Sequence, residues 1–167
     1  MEKNILRESM LEKRRNLSSY EVKTKSKKII DILLKKISFQ NKVIHIYMNS
    51  KDGEVNTSDL LPYLDKAKDI ITSKTSFKDN TLKHYSLRTK KEYTGHIDII
   101  IVPGIVFSRT GDRIGYGYGF YDRFLSQYPK SLTIGLAYEF QVVDSIKVEN
   151  HDIPLDHICT EENFLSF

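Results

Sequence analysis

The most constraining stretch of this sequence is a glycine-rich segment, residues 103–122, which reads PGIVFSRTGDRIGYGYGFYD. Five of the eight glycines in the chain lie there. The run before it, IDIIIV at 97–102, is typical of a buried strand, and YDRFL at 121–125 is typical of the start of a helix. Where a strand leads through such a loop into a helix, backbone N–H groups can meet a phosphate. The segment is therefore the candidate active site.

The overall composition indicates a globular protein of one domain. A chain of 167 residues can bury a sizeable core, and we expect a single domain over residues 1–167. The single cysteine, Cys159, cannot form an internal disulfide, which fits a reducing compartment. No apolar run approaches the ~20 residues that cross a bilayer, and the N-terminus lacks the apolar core of a signal peptide. We therefore expect a cytoplasmic protein without a membrane partner.

The net charge of +4 is unevenly distributed along the chain. Residues 1–42 hold twelve Lys and Arg against five Asp and Glu, whereas residues 139–167 hold seven acids against one lysine. A basic N-terminal region can bind nucleic acid, a membrane surface or a polyphosphate. Solvated helix faces explain most of these lysines at least as well.

Hydrophobic periodicity predicts alternating helices and strands. We expect four helices. The first covers about 4–16, and the second starts at the capping box Ser18-Ser19-Tyr20-Glu21. The third covers about 58–68, with Asn56 or Thr57 as its cap, and the fourth about 119–127. Strand-like runs fall at 43–48, 69–73, 82–87, 97–102, 131–137 and 157–160. This alternation predicts an α/β fold with a mainly parallel sheet covered on both faces. Because ligands bind at the carboxyl ends of such strands, the loop after 97–102 is in the expected place.

The glycine spacing of the loop differs from the two best-known phosphate loops. Gly115-x-Gly117-x-Gly119 is neither the Gly-x-Gly-x-x-Gly of dinucleotide folds nor a Walker loop. Alternate glycines permit a positive φ and let a ligand approach the backbone. Arg113 suits phosphate oxygens, Asp122 could hold Mg²⁺ on a nucleotide, and the aromatic residues between the glycines could stack on a flat ring. The alternative is a tight turn whose acid only complements the helix dipole.

The segment also resembles the signature of the 5-formyltetrahydrofolate cyclo-ligase family, in the pattern Phe107-x-x-x-Gly111-x-Arg113-Ile114-Gly115-x-Gly117-x-Gly119-Phe120-Tyr121-Asp122-Arg123. The resemblance continues in the same order over nearly the whole chain. It includes Lys3-Asn4-Ile5-Leu6-Arg7, Glu54-Val55-Asn56-Thr57, Ile101-Val102-Pro103-Gly104, His151-Asp152 and Thr160-Glu161.

The resemblance implies a three-layer α/β/α sandwich and an ATP- and Mg²⁺-dependent reaction that closes 5-formyltetrahydrofolate to 5,10-methenyltetrahydrofolate. It implies catalytic roles for Arg113 and Asp122, with Asp122 and Asp152 as Mg²⁺ ligands. The implied ATP-binding residues are Lys3, Arg7, Arg113, Ile114, Gly115, Tyr116, Gly117, Tyr118, Gly119, Phe120 and Tyr121. The implied folate-binding residues are Asn49, Glu54, Tyr116, Gly117, Tyr118, Gly119 and Phe120. A monomer without a nucleic-acid partner is expected.

Three departures from the family pattern bear on the folate pocket. Tyr118 stands where a small residue is usual, Ser108 replaces a usual aspartate, and no Glu-Pro segment is found within 74–96. Without the resemblance, Lys3 and Arg7 would be an exposed helix face and Glu54 a surface acid. Two other functions remain open: a nucleotide- or sugar-phosphate-binding module without ligase activity, and a nucleic-acid binder that uses residues 1–42.

Overall fold

The computed structural model describes residues 2–48 and 51–167, which form helices around a mixed sheet. The helices are α1 (Lys3–Arg15), α2 (Ser19–Lys36) and α3 (Phe120–Gln127). The strands are β1 (Val43–His45), β2 (Asp69–Ser76), β3 (Thr81–Ser86), β4 (Ile99–Val102), β5 (Val106–Ser108), β6 (Arg113–Ile114), β7 (Leu132–Leu136), β8 (Val142–Val143), β9 (His157–Cys159) and β10 (Phe164–Ser166). Ser58–Tyr63 and Glu139–Gln141 are short 3-10 helices.

The main sheet has seven strands in the order β10–β9–β7–β4–β1–β2–β3. The five central strands are parallel, with Ile44 opposite Ile70 and Ile99, and Ile101 opposite Ile134. The two edge strands, β3 and β10, pair antiparallel with β2 and β9. The mainly parallel α/β sheet is therefore confirmed.

The central strands bury both faces, which gives the fold three layers. Along β4, Ile99 and Ile101 pack in the cluster that contains Ile29, Ile30 and Leu33 of α2. Their neighbours Ile100 and Val102 pack in the cluster that contains Phe124 and Leu125 of α3. Successive strand residues point to opposite faces, so a run of four isoleucine and valine residues can serve both layers.

Helix α2 begins at the capping box that the sequence predicts. The Ser18 hydroxyl accepts from the Glu21 N–H at 3.1 Å, and the Glu21 carboxylate accepts from the Ser18 N–H at 2.8 Å. Two of the four N–H donors that lack helical partners at this end are thereby satisfied, and these bonds lower the pKa of Glu21.

The predicted helix over 58–68 is wrong. The chain forms only a 3-10 helix over Ser58–Tyr63, because Pro62 lies inside the segment and cannot donate to a continuing helical ladder. Thr57 does not cap it, since its hydroxyl donates to the Tyr47 carbonyl, whereas the Asn56 side chain accepts from the Ser58 N–H at 2.9 Å.

A second sheet, in the order β6–β5–β8, was not predicted from the sequence. Its strands have two or three residues each, too few to show a period of two. It packs with α1 in a separate cluster that includes Met10, Leu11, Ile105, Val106, Ile114 and Ile146. The small sheet thus joins the N-terminal helix to the glycine-rich segment. Within residues 2–48 and 51–167, no helix combines the length and apolarity needed to cross a membrane.

The capping box yields a stability prediction. Ser18→Ala leaves the Glu21 N–H without its acceptor, so we expect the free energy of unfolding to fall by about 1 kcal/mol in urea titrations. Ser19→Ala, at the exposed next position, is the matched control and should change it by much less. Equal effects of the two substitutions would show that the cap contributes nothing.

Candidate active site

A cleft of about 990 Å³ lies at the carboxyl ends of the parallel strands. It is bounded by Tyr47 and Met48 after β1, by Ser73 and neighbouring residues of β2, and by Pro103 and Gly104 after β4. Residues 113–122 line its floor, and the start of α1 together with residues 147–152 forms its rim. The glycine-rich segment therefore lies where ligands bind in open parallel sheets.

The glycines of the loop let arginine side chains approach its backbone closely. A Cβ added at Gly115 would lie 3.1 Å from Nη1 of Arg113, and one added at Gly117 would lie 3.5 Å from Nη2 of Arg7. Gly117 has φ of +98°, a conformation that larger residues rarely adopt. The alternating glycines thus place two guanidinium groups directly against the loop.

Helix α1 places two predicted phosphate ligands at the cleft. Arg7 donates from Nε to the Gly115 carbonyl at 2.8 Å, and Lys3 donates from Nζ to Oδ2 of Asp152 at 2.7 Å. Glu149 lies 3.7 Å from the same ammonium. Lys3 and Arg7 are therefore at the cleft rather than on a remote helix face.

Arg113 forms a buried ion pair with Asp122. Their atoms Nη2 and Oδ1 are 3.1 Å apart, and the Arg113 side chain is only 5% exposed. Asp122 also accepts from the Ile153 N–H at 3.3 Å, which ties it to the segment that carries Asp152. Nε of Arg113 is buried and has no hydrogen-bond partner among the described residues.

Asp152 is held by cationic and backbone donors. Burial would raise its pKa, but the hydrogen bonds from Lys3 and from the Glu149 N–H outweigh burial, so the pKa is lowered. Asp122 and Asp152 both line the cleft. Over the part of the chain that the structure describes, no three Asp, Glu, His or Cys side chains group together as a complete metal site. Two carboxylates still fit Mg²⁺, which usually takes one or two carboxylates together with phosphate oxygens.

Glu54 also lines the cleft and is only 8% exposed. Burial raises its pKa to about 7, although Arg14 and Lys51 act to lower it. The carboxyl group can therefore donate or accept a proton near neutral pH. Asn49, the other residue predicted to contact folate alone, lies outside the described residues.

Aromatic side chains form the outer wall. Tyr118 is 56% exposed and packs against Phe77 and Phe120, with ring centroids 5.5 and 5.7 Å apart. Arg123 stabilises this aromatic wall, because its guanidinium donates to the Tyr118 carbonyl at 2.8 Å and to the Asn80 side chain at 3.0 Å. Tyr118 therefore stands at the rim of the cleft, where it extends the wall.

Several residues of the site were missed from the sequence. Phe77, Lys74 and Ser73 reach the cleft from β2 and the turn after it, a region whose pattern was weak. Arg14 does not line the cleft but is fully buried behind it. Arg14 stands four residues after Met10 and three after Leu11. The sequence pattern that could have identified it was therefore a cationic residue on the apolar side of α1.

Comparison with known proteins identifies the family. The model of the 5-formyltetrahydrofolate cyclo-ligase family matches residues 1–161. This chain belongs to the 5-formyltetrahydrofolate cyclo-ligase family. The resemblance drawn from the glycine loop and the flanking motifs is thereby confirmed, and with it the assignment to a family of enzymes.

Relatives and solved structures agree with the family assignment. A 5-formyltetrahydrofolate cyclo-ligase of Mycoplasma genitalium is 30% identical over 86% of this chain and 89% of its own. The structure of a 5,10-methenyltetrahydrofolate synthetase from Mycoplasma pneumoniae superposes with a TM-score of 0.84 at 27% identity, covering 96% of this chain and 99% of that one. One from Aquifex aeolicus gives 0.81 at 33% identity, covering 99% and 93%. The matched segments cover 67% of the mouse relative and 39% of the Caenorhabditis elegans relative.

In this cyclo-ligase family member, Glu54 should make stability depend on pH. Its pKa is about 7 in the folded chain against an ordinary 4.5, so the folded protein retains a proton that the unfolded chain releases. Stability is therefore lost as the pH rises towards and through the folded pKa. Between about pH 5 and pH 8, the wild type should lose roughly 2–3 kcal/mol relative to Glu54→Gln.

Urea unfolding of both proteins at the two pH values measures this difference. Glu162→Gln, which changes an exposed acid, is the control and should follow the wild type. If Glu54→Gln also followed the wild type, the carboxyl of Glu54 would not carry a raised pKa.

Proposed function

We propose that this protein catalyses the ATP- and Mg²⁺-dependent cyclisation of 5-formyltetrahydrofolate to 5,10-methenyltetrahydrofolate, with release of ADP and phosphate. The observation that carries the proposal is the cationic end of the cleft. There Arg7 and Arg113 lie against a glycine backbone, in a chain of this family. Planar guanidinium groups that are held in place suit phosphate oxygens.

The proposed chemistry makes the formyl carbon a better electrophile. The N5-formyl group is an amide, in which nitrogen donates electrons into the carbonyl. Its oxygen attacks the γ-phosphorus, the bond from that phosphorus to the bridging oxygen breaks, and ADP leaves. N10 then attacks the formyl carbon and loses its proton, while the carbon–oxygen bond breaks and phosphate leaves. The formyl oxygen thus ends in the released phosphate.

In this proposal the chain's residues position and neutralise the reacting groups. Lys3, Arg7 and Arg113, together with residues 114–121 of the loop, hold the nucleotide phosphates. Arg113 lies nearest to the transferred group, with Asp122 orienting its fork through their ion pair. Positioning and charge stabilisation account for most phosphoryl-transfer catalysis, so no covalent nucleophile is needed.

Asp122 and Asp152 are proposed to hold Mg²⁺, by exchanging their contacts with Arg113 and Lys3 in part for the metal. When bound, Mg²⁺ would neutralise charge on the phosphate oxygens. The lowered pKa of Asp152 supports this role, because the carboxylate is ionised at neutral pH.

The folate is proposed to occupy the other side of the cleft. Asn49, Glu54 and residues 116–120 would contact it, with Glu54 forming a hydrogen bond to the pterin. The raised pKa of Glu54 and the aromatic wall at Tyr118 and Phe120 support this placement. We further propose a single domain over residues 1–167 that acts as a monomer in the cytoplasm.

The direct test follows the absorbance of methenyltetrahydrofolate. Mixing the protein with 5-formyltetrahydrofolate, ATP and Mg²⁺ should raise it, with one phosphate released for each product molecule. Omission of any one component should abolish the rise. Nucleotide binding without product would instead indicate a phosphate-binding module without ligase activity, and would overturn the proposal.

The metal sites yield a separate prediction. Asp122→Asn removes a charged ligand, so we expect the Mg²⁺ concentration for half-maximal rate to rise by about 10-fold or more. Asp144→Asn, which changes a fully exposed acid, is the matched control and should leave the titration in place. An unchanged titration for Asp122→Asn would remove this residue from the metal site.

A further inference from the structure

Three polar side chains, those of His45, Ser73 and His84, form a hydrogen-bonded chain across three neighbouring strands. His45 is the last residue of β1, and Ser73 on β2 is the register partner of His84 on β3. Nε2 of His45 lies 2.7 Å from the Ser73 hydroxyl oxygen, and Nδ1 of His84 lies 2.6 Å from the same oxygen. Two imidazoles therefore hold the Ser73 hydroxyl. The proposed catalytic residues include none of the three.

Both imidazoles are buried and packed against α3. His45 is inaccessible to solvent and His84 is 8% exposed. The centroids of their rings lie 4.8 and 4.3 Å from that of Phe124. Burial lowers the pKa of His84, although Glu92 acts to raise it, and burial together with the nearby His84 lowers the pKa of His45 to about 3. Both rings are therefore uncharged at neutral pH.

The Ser73 hydroxyl has one hydrogen-bonding position left. A hydroxyl can donate one hydrogen bond and accept two. The two imidazoles occupy two of these positions, whichever tautomer each of them adopts, and the third has no partner in the part of the chain that the structure describes. Ser73 is partly exposed and lines the cleft, whereas His45 and His84 do not line it. A ligand in the cleft can therefore occupy the third position.

The neighbours of Ser73 on β2 point to the folate as that ligand. Residues 73–75 and Phe77 all line the cleft. Phe77 packs against Tyr118 and Phe120 in the aromatic wall, with ring centroids 5.5 and 5.6 Å apart. Four residues of extended chain separate Ser73 from Phe77 by roughly 13 Å, which is within the length of an extended folate. A folate that contacts the aromatic wall, as proposed, can thus also reach Ser73.

We propose that Ser73 is a further folate-binding residue, whose hydroxyl is held by His45 and His84 so that its third hydrogen-bonding position takes a polar atom of the substrate. This inference rests on the proposed function, which supplies the folate. A hydroxyl that is already held by two partners loses little freedom when it binds a third, so little ordering opposes the new bond. His45 and His84 are positioning residues, because they act through Ser73.

The test compares Ser73→Ala with the wild type. Calorimetry gives the Kd of a non-hydrolysable ATP analogue with Mg²⁺, and then the Kd of 5-formyltetrahydrofolate in the presence of that analogue. Ser73→Ala should raise the Kd and the KM of the folate by roughly 3- to 10-fold, as expected for one neutral hydrogen bond, and leave the Kd of the analogue unchanged. Ser76→Ala is the matched control, since Ser76 lies on the same strand, does not line the cleft and bonds to Asp79 instead; it should bind both ligands like the wild type.

Two substitutions of His84 test its positioning role. The amide of His84→Asn can replace Nδ1 as the partner of Ser73, so the folate Kd should stay within about 2-fold of the wild type. His84→Phe keeps a ring against Phe124 but removes the bond to Ser73, and should raise the folate Kd by roughly 3-fold or more. Circular dichroism establishes that each variant is folded, and the two His84 variants decide the question if Ser73→Ala does not fold.

The outcomes separate this inference from the proposed function. Wild-type protein that neither binds 5-formyltetrahydrofolate nor forms product would overturn both. Wild-type protein that binds the folate without forming product would overturn the proposed function, and the Kd of Ser73→Ala would still decide the inference. A folded Ser73→Ala protein whose folate Kd and KM stay within about 2-fold of the wild type would overturn the inference alone, because a purely structural serine affects stability. Equal weakening of both ligands would also contradict it, since that indicates a general distortion of the cleft.

Discussion

A buried guanidinium must find acceptors for its N–H groups, and the way Arg14 finds them governs how this molecule is assembled. Its acceptors belong to residues that lie 37 to 102 positions away in the sequence. The sheet brings these residues to one edge, because the carboxyl ends of parallel strands meet there. The sheet thus decides which loops are neighbours, and Arg14 fixes the distances between them.

The glycine loop lies against the cationic side chains of the cleft, and hydrogen bonds hold these side chains as well. An added Cβ at Gly115 would be crowded by Arg113, whereas Gly117 lies in ordinary contact distance of Arg7 and adopts a positive φ of +98° that favours glycine. Arg7 donates to the Gly115 carbonyl and to the side chain of Asn4, and Arg113 donates to the carboxylate of Asp122. These contacts already order both guanidinium groups, so a nucleotide bound there as proposed would require little further side-chain ordering.

Much of the fold could be predicted from the sequence where local signals agreed. Helix α2 combined a capping box with a long apolar stripe, and β4 combined an isoleucine run with a following glycine, so both were found close to their observed bounds. The small sheet could not be predicted, since strands of two and three residues have no period. The 3-10 helix at Ser58–Tyr63 was overestimated because Leu60 and Leu64 keep a helical spacing that Pro62 interrupts. The glycine loop and its arginine were visible in the sequence, whereas the role of Arg14 depends on acceptors that only the fold brings together.

The acidic residues of the cleft differ in what sets their protonation state. On the cationic side, ion pairs keep Asp122 and Asp152 close to their basic partners. Burial favours a proton on Glu54, while the positive charges of Arg14 and Lys51 oppose it. A carboxyl balanced in this way near neutral pH responds to whatever enters beside it: an apolar ring adds to burial and strengthens the proton, whereas an N–H donor stabilises the carboxylate. The protonation state of Glu54 therefore depends on the polarity of the groups that lie beside it.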